Sequence, residues 1–260
     1  MNFNSILFEI SDGVGTITLN RPDVLNSFNK EMAMEVQQAL DHCKENKEIR
    51  CLVLTANGRG FCAGQDLAEA MDENTPGIGH IVKHHYNPIV RKIREIEKPV
   101  LCAVNGVAAG AGANLAYACD ITFAAESAKF IQSFANIGLI PDSGGTFTLP
   151  RLVGMQRATA MMMLGNKVTA KEAEQYGLIF QACADEQLME TTLTTAKRLA
   201  KMPTKGLGLT KRGLNKSMCN NLDSQLDLEE ELQIAAGNSY DFNEGVQAFL
   251  EKRKPVFKGE

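Results

Sequence analysis

Two glycine-rich turns and one isolated acid are the parts of this 260-residue chain best suited to chemistry. The first turn runs Arg59-Gly60-Phe61-Cys62-Ala63-Gly64-Gln65-Asp66-Leu67, and the second Ala108-Ala109-Gly110-Ala111-Gly112-Ala113-Asn114. Each follows a short apolar run. Small residues let the backbone approach a ligand, and unpaired N–H groups at a helix start favour negative charge. Two such groups converging on one point would make an oxyanion hole, although tight strand-to-helix turns would give the same pattern. The acid is Asp142, in Ile137-Gly138-Leu139-Ile140-Pro141-Asp142-Ser143-Gly144-Gly145-Thr146. A carboxylate walled by apolar groups has its pKa raised, which suits a general base acting on a carbon acid. On the pattern alone, the same position suits an N-cap for the next helix better.

Other chemistries fit less well. The four histidines, His42, His80, His84 and His85, all lie in the first third, so acid–base work falls to carboxylates. His84 and His85 are neighbours that face different ways on a helix, a poor metal pair and a natural solvated face. Gly110-Ala111-Gly112 resembles a dinucleotide fingerprint, but Leu115 stands where that pattern wants Gly or Ala. The seven cysteines are an odd, scattered set without CxxC spacing, as expected of reduced thiols in a cytoplasm-like compartment. The net charge of −4 offers no general attraction to nucleic acid or an anionic membrane. No apolar run approaches the length of a spanning helix, and Met1-Asn2-Phe3-Asn4-Ser5 has no signal-peptide character. The densest positive cluster is Lys252-Arg253-Lys254-Pro255-Val256-Phe257-Lys258, either a dipole-complementing helix end or a phosphate site.

The elements that must position these residues follow from the apolar pattern. Val14–Leu19 alternates as a half-buried strand, while Cys51–Thr55 and Val100–Val104 are short runs of buried-strand character. Helical spacing covers Lys30 to Asn46 and His80 to Glu97, the latter stopped by Lys98-Pro99. Asn57-Gly58 leads to Ala63-Gly64, and Asn105-Gly106 to Ala109-Gly110. Strand, NG turn, AG turn and helix thus recur about 48 residues apart, as successive coils of one architecture would. The last 90 residues are largely helical, with capping-box patterns at Thr169–Glu172 and Asp241–Glu244. After the second, Phe242, Val246, Phe249 and Leu250 form an apolar stripe. Ala68 to Gly79, with Asp72-Glu73-Asn74 and Pro76-Gly77, has the composition of a mobile cover.

Together these segments resemble the crotonase family, the enoyl-CoA hydratases and isomerases. The resemblance is carried by Leu19-Asn20-Arg21-Pro22, Phe61–Leu67, Val104–Gly110, Leu164-Gly165-Asn166 through Ala170, and Phe249–Lys258. It implies an α/β fold, a spiral of ββα coils over residues 1–200 that holds an acyl-CoA site. A helical region over 201–260 would serve trimerisation and CoA contact. It implies homotrimers, often paired into hexamers, and a thioester carbonyl held between the N–H groups of Gln65 and Ala111. Glycine is usual at the second position, so the Ala111 methyl narrows the approach. Ala63, Gly64, Asp66, Leu67, Gly110, Asn114 and Phe134 would line the substrate, and Lys254, Phe257 and Lys258 would meet the CoA nucleotide.

The two glutamates of the hydratases would fall at Asn114 and Phe134, and neither residue can activate water. Asp142 occupies the acid position used by family isomerases and a dehalogenase, which points to Asp142 as the catalytic base. Gly60–Leu67 and Gly138–Gly145 are most similar to the branch that isomerises the aromatic ring epoxide of phenylacetate breakdown. Coenzyme A is part of the substrate, and no metal or further cofactor is expected. The alternatives are a Δ3,Δ2-enoyl-CoA isomerase, a hydratase or dehalogenase, and a non-catalytic subunit holding a partner hydratase.

Overall fold

The 48-residue repeat is realised as stacked coils in the computed structural model, which describes residues 3–73 and 75–260. Met1 and Asn2 of the start, and Asn74 of the expected cover, lie outside the described residues. The chain opens with a hairpin, β1 (Ile6–Ser11) antiparallel to β2 (Val14–Leu19). Asp12 and Gly13 join them with φ of 52° and 77°, the left-handed pair that matches strand twist in a two-residue turn. From there the strands run parallel. β2 pairs with β3 (Cys51–Ala56), β3 with β5 (Val100–Val104), β5 with β7 (Ile121–Ala125), and β7 with β10 (Gln181–Cys183).

A second sheet collects the short strands that follow the NG turns. Its order is β4 (Gly60–Cys62), β6 (Val107–Ala109), β8 (Lys129–Ile131) and β9 (Lys167–Thr169), the last antiparallel. Leu52 lies opposite Val100 and Val53 opposite Leu101, a step of 48 residues, so the sequence repeat is the sheet register. The turns stack as well: Asn105 Nδ2 donates to the Gly58 carbonyl at 2.8 Å, one NG turn above the other. Gly106 packs against the Arg59 carbonyl so closely that any Cβ there would collide with it.

Helices close the coils. α1 (Lys30–Glu45) is capped by Asn29, whose side chain accepts from Met32 N at 2.9 Å, and buries Met32, Ala33, Val36, Ala39, Leu40 and Cys43. α2 (Leu67–Ala70) and α3 (Ile78–Ile81) lie in the segment after the first glycine turn. The helix expected from His80 to Glu97 is interrupted. A π turn over Val82–Tyr86 separates α3 from α4 (Asn87–Glu95), so His85 and Tyr86 are buried while His84 is exposed. His85 is 4% exposed with Nδ1 unpaired among the described residues, which corrects the expected solvated face. The extra residue in the π turn rotates this pair toward the core.

α5 (Ala111–Ala118) is buried on every side, as its alanine-rich sequence permits. α6 (Gly145–Val153), α7 (Met155–Leu164) and α8 (Ala170–Gln175) follow, and Thr169 and Glu172 form the expected capping box on α8. The remainder is helical: α9 (Leu188–Ala200), α10 (Thr204–Ser217), α11 (Leu222–Gly237) and α12 (Tyr240–Leu250). The second capping box does not form. Ser239 caps α12, leaving Asp241 to accept from Lys258 N and Gly259 N at 2.6 and 2.8 Å, and Glu244 to bind Arg253 and Val256 N. These acids staple the C-terminal tail back onto its own helix.

All seven cysteines are free, and six are buried. Burial pushes the Cys43, Cys51 and Cys62 thiols up to about 12, so they pack as small hydrophobes. Among the described residues no helix is long and apolar enough to cross a membrane.

Candidate active site

Gln65 owes its orientation to Phe28. Phe28 N–H donates to the Gly64 carbonyl at 2.7 Å, and the Phe28 carbonyl accepts from Asp66 N at 2.9 Å, an isolated parallel bridge. A trans peptide points its C=O and N–H in opposite directions. With the Gly64 carbonyl turned to Phe28, the Gln65 N–H must point the other way. Gly64 makes the turn possible with φ of +94°, which a side chain would resist. A Cβ on Gly64 would sit 3.1 Å from the Ala109 oxygen and 3.7 Å from Ala111 N, so the second glycine turn is immediately alongside.

Ala111 supplies the other donor. It is the first residue of α5, and the Gly110 carbonyl before it accepts from Asn114 N at 3.1 Å. The Ala111 N–H therefore projects backward out of the helix start, where no intrahelical partner exists. Among the described residues, neither the Gln65 nor the Ala111 N–H meets a backbone acceptor in the turns and caps. Two free donors on adjoining turns, one reinforced by a helix dipole, are an arrangement that binds an oxyanion.

Asp142 hangs from the loop before α6. The cap of that helix is Gly144, with no side-chain cap, so the N-cap alternative for Asp142 falls. Ser143 and Gly144 both take left-handed backbone, at φ 50° and 76°, and Ser143 is 2% exposed. Such a conformation at a non-glycine persists only where its surroundings enforce it. The Ser143 hydroxyl donates to Asp142 Oδ1 at 2.9 Å. Burial raises the Asp142 pKa above the ordinary 3.8, with the Ser143 hydrogen bond opposing it less strongly. The result is a carboxylate more basic than a solvated one.

Asn114 joins the two halves of the site. Its Nδ2 donates to the Asp142 carbonyl at 2.9 Å, and its Oδ1 accepts from Gln132 Nε2 at 2.8 Å. It is 1% exposed, and Gly145 lies so tightly on its carboxamide that no Cβ could fit. Of the two roles open in sequence, contact with the acyl group or support of a turn, the geometry gives the turn. Asn114 positions Asp142 from the first turns of α5.

The other expected residues divide by place. Phe134 is 6% exposed, its ring against Gly110, where it walls the second glycine turn. Ala63 is fixed by its N–H to the Leu25 carbonyl, and Leu67 opens α2, largely exposed. Asp66 is occupied by structure: it caps α2 and pairs with Arg21 at 3.0 Å. Lys254, Phe257 and Lys258 lie elsewhere. The tail packs on α12 and Arg50, with Phe257 against Gly245 and Lys258 Nζ 4.1 Å above the Tyr240 ring. Two residues that sequence did not suggest are Ser143 and Tyr86, whose hydroxyl donates to Gln65 Oε1 at 3.0 Å. The Ser143 contact lay next to Asp142 in sequence; that of Tyr86 crosses 21 residues and left no local signal.

Stacked ββα coils with two outward backbone donors on adjoining turns, and a half-buried carboxylate tied to α5 through Asn114, fit an enzyme that stabilises oxyanions of acyl groups. The chain belongs to the enoyl-CoA hydratase/isomerase family, whose sequence profile matches residues 9–260. It is 50% identical to 1,2-epoxyphenylacetyl-CoA isomerase of Escherichia coli K12, over 98% of each chain. It is 45% identical to a protein of Rhodobacter capsulatus named "Probable enoyl-CoA hydratase", over the whole of both chains. The crystal structure of enoyl-CoA hydratase from Bacillus anthracis superposes with a TM-score of 0.95 at 32% identity, covering 99% of this chain and 100% of that one. The fold is thus the crotonase spiral with C-terminal helices.

Proposed function

We propose that the protein is an acyl-CoA isomerase working through a thioester enolate, with conversion of ring 1,2-epoxyphenylacetyl-CoA to oxepin-CoA as its reaction. The observation that carries this reading is the single raised carboxylate. Asp142 is half-buried, with its pKa raised by that burial, while positions 114 and 134 hold an amide clamped to the Asp142 turn and a phenyl ring. The 50% identity to an isomerase named for that substrate supports the same choice.

In this mechanism the thioester oxygen lies between Gln65 N–H and Ala111 N–H. The growing negative charge meets fixed donors, each typically worth about 10²–10³-fold in rate. Asp142 removes the α-proton and returns it to a vinylogous carbon as the ring system opens and the double bonds relocate. Proton and electrons are conserved, so one base suffices. Phe134 and its apolar neighbours keep water from the intermediate. Coenzyme A enters and leaves as part of the substrate. The assembly belonging to this reading is a homotrimer or a dimer of trimers in the cytoplasm, able to pair with a hydratase. The exposed Leu214, Leu222, Leu226, Ile234, Phe249 and Leu250 of the C-terminal helices support it. Across such a boundary Lys254, Phe257 and Lys258 would meet the CoA nucleotide.

Solvent-deuterium exchange at the substrate α-carbon tests the assignment. Asp142→Asn abolishes exchange and leaves CoA-ester affinity within about threefold, since the amide keeps the shape of the base but accepts no proton. Full exchange in that variant would overturn the single-base mechanism. Faster turnover of 3-hexenoyl-CoA than of the aromatic epoxide thioester would move the substrate to aliphatic enoyl chains. Solvent ¹⁸O in the product would favour hydration instead.

A further inference from the structure

Gln65 is gripped by its side chain as well as by its main chain. Its Oε1 accepts from the Tyr86 hydroxyl at 3.0 Å, and its Nε2 donates to Glu69 Oε2 at 3.1 Å. Glu69 is itself anchored, accepting from Lys30 N at the start of α1 at 2.9 and 3.1 Å. Tyr86 is 1% exposed, and its ring lies against Phe28 with centroids 5.6 Å apart. Phe28 is the residue whose backbone bridges Gly64 and Asp66. One packed aromatic pair therefore fixes both handles of Gln65: Phe28 its peptides, Tyr86 its carboxamide.

This grip falls next to a glycine, where the main chain is held by its two bonds to Phe28. The peptide that carries the Gln65 N–H follows Gly64, the residue with the widest conformational freedom. A carboxamide bonded at both ends cannot rotate, so its Cα and the Gly64–Gln65 peptide lose that freedom too. Oxyanion stabilisation depends on donors set in place before charge develops. Burial, with Cys62 and Asp142 nearby, holds the Tyr86 phenol well above its ordinary 10, so it stays a donor at any working pH. We infer that Tyr86 is a positioning residue of the oxyanion hole, holding the Gln65 N–H on line through the Gln65 carboxamide. The inference rests on Gln65 being a hole donor, as assigned above.

Difference infrared spectroscopy of bound 2,4-hexadienoyl-CoA reads the thioester carbonyl directly. Tyr86→Phe keeps the ring on Phe28 and removes only the hydroxyl. In that variant the red shift of the carbonyl stretch seen with the wild type falls by about half, and kcat for α-carbon exchange falls about tenfold, the scale of one lost positioning hydrogen bond. KM stays within about twofold, and the acidic limb of the pH profile is unmoved. In a Gln65→Ala background, which retains the N–H but not the carboxamide, Tyr86→Phe has no further effect. An unchanged carbonyl shift in Tyr86→Phe overturns the inference, and so does an equal further loss in the Gln65→Ala background. Asp142→Asn separates this from the isomerase assignment, because it should lose exchange and keep the full carbonyl shift. If Asp142→Asn retains exchange while Tyr86→Phe loses the shift, the single-base chemistry falls and the positioning role stands. A wild type without any carbonyl shift removes the hole and the inference together.

Discussion

Asp142, the base of the proposed mechanism, costs stability, and the two roles can be measured apart. Its folded pKa is raised by burial above the 3.8 of a free aspartate. A carboxyl raised in this way favours the native state when protonated, below the unfolded pKa. That contribution is lost as pH rises through the folded pKa, because the native state must then hold a charge that water would solvate better. At neutral pH the ionised Asp142 is therefore a cost, and Asp142→Asn removes it. The variant should melt higher than the wild type at pH 7, by on the order of 2–4 °C. The gap should close as pH falls below 3.8, where Asp142 is protonated in both states. Calorimetry across that range checks it; a variant less stable at pH 7 would mean that the carboxylate is held by interactions stronger than its desolvation. With Asp142 as the proposed base, exchange should rise with pH through a value above 3.8, as a pH–rate profile would show.

At the next scale, the site depends on how closely one element can approach another. Helix α5 lies on β4 at Gly112, where a Cβ would come 2.5 Å from the Cys62 oxygen and 2.6 Å from its Sγ. Gly112→Ala must therefore push α5 away from β4, costing about 1–3 kcal/mol as overpacking does, with a lower denaturant midpoint. Because α5 carries the Ala111 N–H and β4 leads to Gln65, exchange activity should fall further than stability explains. An unaltered midpoint would show that the contact yields. The elements themselves were largely readable in advance. Val14–Leu19 and Val100–Val104 are strands over the ranges that alternation and apolar runs marked, because those patterns are local. The NG turns announced the 48-residue register for the same reason. What escaped the sequence depends on distant partners. Asn114 could not be assigned to the Asp142 turn without the fold that brings residue 142 to residue 114. His85 was buried by a π turn just before Pro88, which has no N–H for the His84 carbonyl; that carbonyl accepts from Gln37 instead, a partner 47 residues away. Asp241 lost the α12 cap to Ser239, two residues earlier, since a cap is decided by backbone geometry as much as by residue type.

For the whole molecule, the C-terminal helices are fastened to the spiral by polar staples. Lys211 of α10, 7% exposed, donates to the Ile93 carbonyl at 2.6 Å and pairs with Asp120 at 2.8 Å. Asp120 in turn accepts from Val100 N and pairs with Arg94 at 2.9 Å, which ties β5 and α4 into the same knot. Beside it, Arg94 holds Asn215 of α10, and Arg212 holds Glu97. Arg50, just before β3, donates to Thr204, Met202 and Phe257 at 2.6–2.8 Å. Gly208 allows α10 to lie directly on Glu97, where a side chain would collide. Burial lowers the Lys211 pKa, and the Asp120 carboxylate facing it opposes that shift. Lys211→Ala leaves Asp120 partly buried with Arg94 as its remaining partner. A cost near the low end for a broken buried pair is expected, about 3 kcal/mol. The loss should also be uneven, since local stability follows local contacts. Amide hydrogen exchange in α10, α11 and α12 should quicken first, while β3, β5 and β7 stay protected by the unaltered core. Equal loss of protection in both parts would show that spiral and C-terminal helices open as one unit, and that the Lys211 knot is a joint of the whole fold rather than a hinge between its halves.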